Sequence, residues 1–219
     1  LYNWGNGGAY IMGDTQQKSD ADIRNNYFIV GTTDNYDGKK LGATAPFTRY
    51  NEHFSAYLSG NFYDDNKDGL LNGRELGRAD CMKKSVVAGE EIITSPTFLE
   101  RPSDVHPEIK ELMTAQEAYE WIVANGGSSL PVRDEVDAYL IDELTSLGKK
   151  GLIIHSEEDI PTKGPGNIKS AEAPVDTDND GMPDEFEDKY GLDKNDPADA
   201  MKVASNGYTN IENYIFLIK

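Results

Sequence analysis

Two stretches of twelve residues carry the strongest constraint on this chain. In Asp64-Asp65-Asn66-Lys67-Asp68-Gly69-Leu70-Leu71-Asn72-Gly73-Arg74-Glu75, oxygen-bearing side chains fall on positions 1, 3 and 5, glycine on 6 and glutamate on 12. Asp176-Thr177-Asp178-Asn179-Asp180-Gly181-Met182-Pro183-Asp184-Glu185-Phe186-Glu187 repeats the arrangement with three aspartates. Glycine at the sixth place makes a sharp turn, and the alternating acids point into it, so like charges gather where only a cation can reconcile them. Calcium prefers hard oxygen ligands at this spacing, which predicts Ca2+ at Asp64, Asn66, Asp68, the carbonyl of Leu70 and Glu75. The same template predicts a stronger site at Asp176, Asp178, Asp180, the carbonyl of Met182 and Glu187. The bland alternative is a pair of solvated Asp/Asn/Gly turns without metal, and two full matches in one chain weigh against it. A third stretch, Lys202 to Asn213 with Gly207 at position 6, lacks the acids and is expected to hold no ion, serving as a degenerate partner of the second loop.

The rest of the composition agrees with a metal-braced fold. A net charge of −18, from 39 acidic against 21 basic residues, excludes nucleic acid and anionic membrane as partners. The single cysteine, Cys81, excludes an internal disulfide, so burial, hydrogen bonds or metal must hold the fold. No run approaches the ~20 apolar residues of a membrane span. The chain begins Leu1-Tyr2-Asn3-Trp4 without methionine, and these residues read as the inside of a strand, so further sequence is expected upstream.

From Leu1 to about Tyr63, short strand-like runs alternate with Gly, Asn and Asp. Asn26-Tyr27-Phe28 and Asn61-Phe62-Tyr63 lie 35 residues apart, a weak repeat that fits one kind of turn recurring in stacked β-structure. Beyond the first loop the pattern turns helical. Thr114-Ala115-Gln116-Glu117 has the form of a helix-starting capping box, Gly126-Gly127 ends that helix, and a second is expected over Arg133–Leu147. Ala118, Trp121, Ile122 and Ala124 are read as the first helix's apolar spacing, with Val136, Tyr139, Leu140 and Leu144 on one side of the second; Trp121 and Tyr139 are expected to pack. Gly151-Leu152-Ile153-Ile154-His155 is expected to add a strand, and the Pro, Gly and Ser of 161–174 mark a linker.

Three stretches together resemble secreted family 1 pectate lyases, particularly those of Bacteroidetes-type bacteria. They are Leu1-Tyr2-Asn3-Trp4-Gly5, then Ala118-Tyr119-Glu120 through Ser129-Leu130-Pro131-Val132-Arg133-Asp134-Glu135-Val136-Asp137, and the tail from Asp176 through Gly207-Tyr208-Thr209-Asn210-Ile211-Glu212-Asn213-Tyr214. The tail alone is shared with thrombospondin type 3-like and dockerin-like modules, and the middle stretch is more specific. The resemblance implies a mainly β fold: the last coils of a right-handed parallel β-helix over 1–100 with the calcium loop 64–75 inserted, a helical extension over 101–160, the linker 161–174, and a small EF-hand-like module over 175–219. It implies a secreted, periplasmic or cell-surface parent enzyme that cleaves pectin or polygalacturonate by calcium-dependent β-elimination. The family's catalytic arginine motif precedes the Leu-Tyr-Asn-Trp segment, so no catalytic residue carries over, and the chain alone is expected to be inactive. The N-terminal remainder of the same protein is then an expected partner.

Among Arg24, Arg49 and His53, the basic residues of the strand region, Arg49 is the expected contact to a uronate. A rival reading from another class is a non-catalytic calcium module for adhesion or assembly. A self-contained hydrolase has little support, because His53, His106 and His155 lack metal spacing and no Gly-x-Ser-x-Gly elbow occurs. The 39 acidic residues leave a paired-acid glycosidase open.

Overall fold

The computed structural model describes residues 1–4, 8–13, 15–36, 39–40, 45–49, 51–129, 132–169 and 172–217. Two compact units emerge, Leu1–Ser129 with Asp134–Gly166, and Leu130–Arg133 with Asn167–Lys219. Among the described residues the chain is mainly β, with several small sheets and four α-helices.

The first unit is built on strands that stack in parallel after long excursions. β1 (Tyr10–Ile11), β2 (Ser19–Arg24) and β3 (Tyr27–Ile29) are followed by a short antiparallel pair, β4 (Asn35–Tyr36) and β5 (Lys39–Lys40). The chain then repeats the first three as β6 (Phe47–Thr48), β7 (Phe54–Ser59) and β8 (Phe62–Asp64). Each pairs in parallel with its predecessor: Tyr10 with Phe47, Ser19 with Phe54, and Tyr27 with Phe62. Tyr2 bridges Ile29 in the same sense, and a later strand, Thr97–Phe98, lies parallel to β7.

The corner between the second and third strands shows why the repeat reads as it does. Asn25 (φ 55°) and Gly60 (φ 63°) occupy equivalent places in the two layers, both in the left-handed region that Asn and Gly tolerate best. A Cβ on Gly60 would fall 2.2 Å from Asn25 Oδ1, so a side chain there must push the Asn25 amide aside and also adopt a left-handed φ. The next residues form a polar rung. Buried Asn61 accepts from Asn26 N (3.1 Å) and Asn26 Nδ2 (3.0 Å), and donates to the Ile23 carbonyl (2.7 Å). The rung takes up the Asn26 N–H, while other backbone groups of the corner bond across the layers, Asn25 N to the Ser59 carbonyl (2.9 Å) and Phe62 N to the Asn26 carbonyl (2.8 Å).

Beside the rung runs an apolar core of Met12, Ile23, Phe28, Val30, Phe47, Phe54, Ala56, Tyr63, Leu76 and Cys81. Phe28 packs edge-on to Phe47 with centroids 5.3 Å apart, and Trp4 meets Phe28 at 6.4 Å. β8 also takes an antiparallel neighbour, β9 (Arg74–Glu75), on which Phe62 pairs with Glu75. Further on, β10 (Lys83–Val87) and β11 (Glu90–Thr94) form a hairpin through Ala88 (φ 54°) and Gly89 (φ 90°), and β12 is Thr97–Phe98.

α1 (Ala115–Asn125) begins at the expected capping box: Thr114 Oγ1 accepts from Glu117 N (3.2 Å), and Glu117 Oε2 accepts from Thr114 N (2.8 Å). It ends at Gly126, whose N–H donates to the Ile122 carbonyl. Its inward face is not the expected one. Ala115 is buried and Ala118 and Tyr119 are partly so, whereas Trp121 is 52% exposed and Ile122 45%. The helix turns Ala115, Ala118, Tyr119 and Val123 inward and leaves Trp121 outside, which corrects the reading of that ring as a packing residue.

α2 (Glu135–Thr145) is shorter than the expected helix, because Asp134 caps it by accepting from Asp137 N (2.8 Å) and Ser146 closes it. Tyr139 is partly buried and its hydroxyl donates to buried Glu143. Residues 151–155, expected as a strand, are extended but have no ladder; the Gly151 carbonyl instead accepts from Thr32 Oγ1 (2.6 Å). Apolar content made the run look like a strand, but it found no neighbouring edge.

In the second unit, α3 (Asp184–Tyr190) leaves the second acidic loop and ends at Gly191 (φ 73°), and α4 is Asn210–Leu217. Met182 and Ala200 are buried, and Phe186 packs against Tyr190 (4.6 Å) and Tyr214 (5.0 Å). No helix among the described residues is long and apolar enough to cross a membrane.

Candidate metal centre

Both acidic loops fold the same way locally. Position 4 (Lys67 φ 55°, Asn179 φ 61°) and position 6 (Gly69 φ 84°, Gly181 φ 96°) are left-handed in each. The side chain at position 3 accepts from the backbone at 5: Asn66 Oδ1 from Asp68 N (2.9 Å), and Asp178 Oδ1 from Asp180 N (3.3 Å). The side chain at 5 accepts in turn from 7: Asp68 Oδ1 from Leu70 N and Asp180 Oδ1 from Met182 N, both 2.8 Å. Each of these side chains is thus held to the loop's own backbone through one oxygen.

What fills the inside differs. In the first loop Asn72 reaches in: its Nδ2 donates to Asp68 Oδ2 (2.9 Å), its Oδ1 accepts from Asn66 Nδ2 (2.7 Å), and its N–H donates to Asp64 Oδ2 (3.3 Å). Burial raises the Asp64 carboxyl above its ordinary range against these hydrogen bonds, while the Asn72 amide lowers Asp68. Leu70 is 61% exposed, and Glu75 lies in β9 with an exposed side chain. This loop brings together no group of three carboxylates.

The second loop does. Asp176, Asp178 and Asp180 place carboxylate oxygens within 4.8 Å of one another, and Asp180 forms a second such group with Glu187 and Asp199. Glu187 is fully buried and Asp199 is 3% exposed. Six buried oxygens have no hydrogen-bond partner: Asp176 Oδ1, Asp178 Oδ2, Asp180 Oδ2, both oxygens of Glu187, and Asp199 Oδ1. Burial, reinforced by the charges of Asp178, Asp180, Asp199 and Asp184, pushes the Glu187 carboxyl up to about 7. Burial and Asp180 likewise raise Asp178. An orphaned buried carboxylate costs several kcal/mol unless it takes up a proton or meets a cation, and a set of them in one pocket suits a hard cation. The donor set is all oxygen and the loop is rich in carboxylate, so the residues fit calcium.

Asp184 at position 9 stands apart: its oxygens accept from Thr177 N and Thr177 Oγ1, both 2.8 Å, which lowers its carboxyl. Asp199 was invisible to the twelve-residue template, which stops at Glu187. The available signal was the run Asp193, Asp196, Asp199 just beyond it. In the third loop Gly207 keeps a positive φ (88°), but Lys202 at position 1 pairs with Asp196 (2.9 Å). Arg49, the expected uronate contact, is exposed and follows β6 with φ 57°.

No family model and no solved structure matches the chain. Among curated proteins it is 39% identical over 212 residues to a probable pectate lyase C of Aspergillus terreus, covering 97% of this chain and 45% of that protein. A probable pectate lyase C of Aspergillus flavus is 36% identical over the same shares, and one of Emericella nidulans is 39% identical over 213 residues, 97% of this chain and 44% of its own. These relatives are fungal, whereas the residue-level resemblance pointed to bacteria. The chain spans about half the length of the curated relatives it matches, and nearly all of it is similar to part of a probable pectate lyase.

Proposed function

We propose that this chain is the C-terminal portion of a secreted, calcium-dependent pectate lyase acting on polygalacturonate by β-elimination. The observation that carries the reading is similarity to probable pectate lyases along 97% of the chain. The parallel layers β1 to β3 on β6 to β8 support it, as coils of a right-handed parallel β-helix over 1–100. A helical extension over 101–160, a linker over 161–174 and an EF-hand-like module over 175–219 complete the proposed layout.

Both acidic loops are structural calcium sites in this reading, with Asp64, Asn66, Asp68, the Leu70 carbonyl and Glu75 as the weaker set. The stronger set is Asp176, Asp178, Asp180, the Met182 carbonyl and Glu187. Bound calcium at the substrate would neutralise the uronate carboxylate and ease loss of the adjacent proton. Arg49 supplies a charge complementary to the same polyanion, and the catalytic residues lie on the remainder of the enzyme.

The test follows ultraviolet absorbance of unsaturated uronides. A full-length enzyme containing this chain is expected to produce them from polygalacturonate with calcium and to stop when chelator is added. The 219-residue chain alone is expected to produce none. Silence from the full-length enzyme overturns the lyase reading, and activity of the chain alone overturns the placement of catalysis.

One observation favours the alternative, a calcium module for adhesion: the second unit exposes Met201, Val203, Tyr208, Ile215 and Phe216, each at least half exposed. Retention on a protein partner that is lost with chelator, with none on pectin, would select it.

A further inference from the structure

We propose that Asp199 is a ligand of the second calcium centre and that the ion, acting through it, holds the start of α4 in place. This rests on the reading of the second loop as a calcium site and extends it beyond the twelve-residue template.

Asp199 is pinned at every polar atom but one. Its N–H donates to the Asp196 carbonyl (2.9 Å), and its own carbonyl accepts from Lys202 N (3.0 Å) and Asn210 Nδ2 (2.8 Å). Oδ2 accepts from Asp193 N (2.8 Å). Only Oδ1 is left, buried and unpartnered, and a carboxylate oxygen of Asp199 lies within 4.8 Å of carboxylate oxygens of Asp180 and Glu187. A carboxylate 3% exposed among like charges is not placed there by hydrophobic packing, and Lys202, which feels its charge, gives its ion pair to Asp196 (2.9 Å) instead. The loop also has a place to fill. Position 9, which in such loops often reaches the ion through water, is here Asp184, turned back onto Thr177. Asp199 provides a carboxylate from outside the loop instead.

Its backbone carries the consequence to α4. Besides the Asn210 contact, Ile211 N donates to the Ala200 carbonyl (3.1 Å) and Asn210 N to the Lys202 carbonyl (3.1 Å). A Cβ on Gly181 would sit 3.1 Å from Ile211 Cδ1, so the loop's turn and the helix touch directly. An ion that fixes Asp199 therefore fixes the first turn of α4.

The discriminating variant is Asp199→Asn in the full chain. Its amide oxygen still accepts from Asp193 N, and its NH2, which has no acceptor capacity, faces the carboxylates in place of Oδ1. Calcium is titrated while hydrogen exchange is read separately over 176–190 and 199–217. In the wild type, calcium is expected to protect both segments. In Asp199→Asn, half-saturation should require roughly tenfold more calcium or beyond, and protection of 199–217 should fail at concentrations that saturate the wild type. The chelated variant should be as protected as the chelated wild type or more, because a repulsive buried charge is gone. Wild-type calcium response in the variant, or equal loss of protection with and without calcium, overturns the role of Asp199 alone. Absence of any calcium response over 176–190 in the wild type overturns the calcium site itself and this proposal with it.

Discussion

Glu187 concentrates the electrostatic problem of the second loop in one side chain. Its carboxyl titrates near 4.5 in an unfolded chain and at about 7 when buried among Asp178, Asp180 and Asp199. Between those values the native form keeps its proton and the unfolded form does not, so the native state loses stability as pH rises through that window. In chelator, amide protection over 184–190 should therefore be greatest below about pH 4.5 and fall towards pH 7. Calcium should reverse the trend, since it binds the ionised form. Glu187→Gln should flatten the chelated profile and weaken calcium binding; an unchanged profile would show that Glu187 does not carry it. Cys81 makes the opposite case, a reactive group made inert. It is fully buried, and burial, with the charge of Asp80, pushes the thiol up to about 12. A thiol reagent at pH 8 should leave the native chain unmodified and react on unfolding.

At the scale of elements, the corner between strands offers the sharpest test of the stacked layers. Gly60→Ala puts a methyl 2.2 Å from Asn25 Oδ1 at a left-handed φ, and should cost at least about 1–2 kcal/mol in denaturant unfolding. Asn61→Ala removes three hydrogen bonds from the buried rung and strands the Asn26 N–H and Ile23 carbonyl, for about 2–3 kcal/mol. A loss below about 0.5 kcal/mol in both would mean the rung does not hold the layers together. Thr114→Ala should cost about 1 kcal/mol through the α1 cap. The cap and the terminating Gly126 were legible in sequence because capping is a contact between residues three or four apart. The inward face of α1 was not, because the spacing of Trp121 and Ile122 fits a core as well as a surface, and only neighbouring elements decide. The run at 151–155 departs from its expected strand for the same reason: strand propensity describes a residue's fit to an edge, and among the described residues no strand pairs with it.

For the whole molecule, two compact units and, among the described residues, one carboxylate-rich centre imply unequal dependence on metal. Calcium at about a hundredfold over its dissociation constant adds about 2.7 kcal/mol to whatever folds around it. Calorimetry with and without chelator should therefore move the transition of the second unit more than that of the first; equal shifts would remove the inequality, and a larger shift of the first unit would place the dominant ion in the first loop. The positions of both loops, the glycine turns inside them and the 35-residue recurrence of Asn26 and Asn61 were determined by the sequence alone. Each is a short-range pattern in which covalent spacing already limits what the side chains can reach. Tertiary structure decided the rest: that Asn72 satisfies the first loop internally, that the second keeps six buried oxygens orphaned, and that Asp199 joins them. Asp199 comes close to Glu187 only when the chain after α3 folds back, and a contact made by that return has no fixed spacing to read.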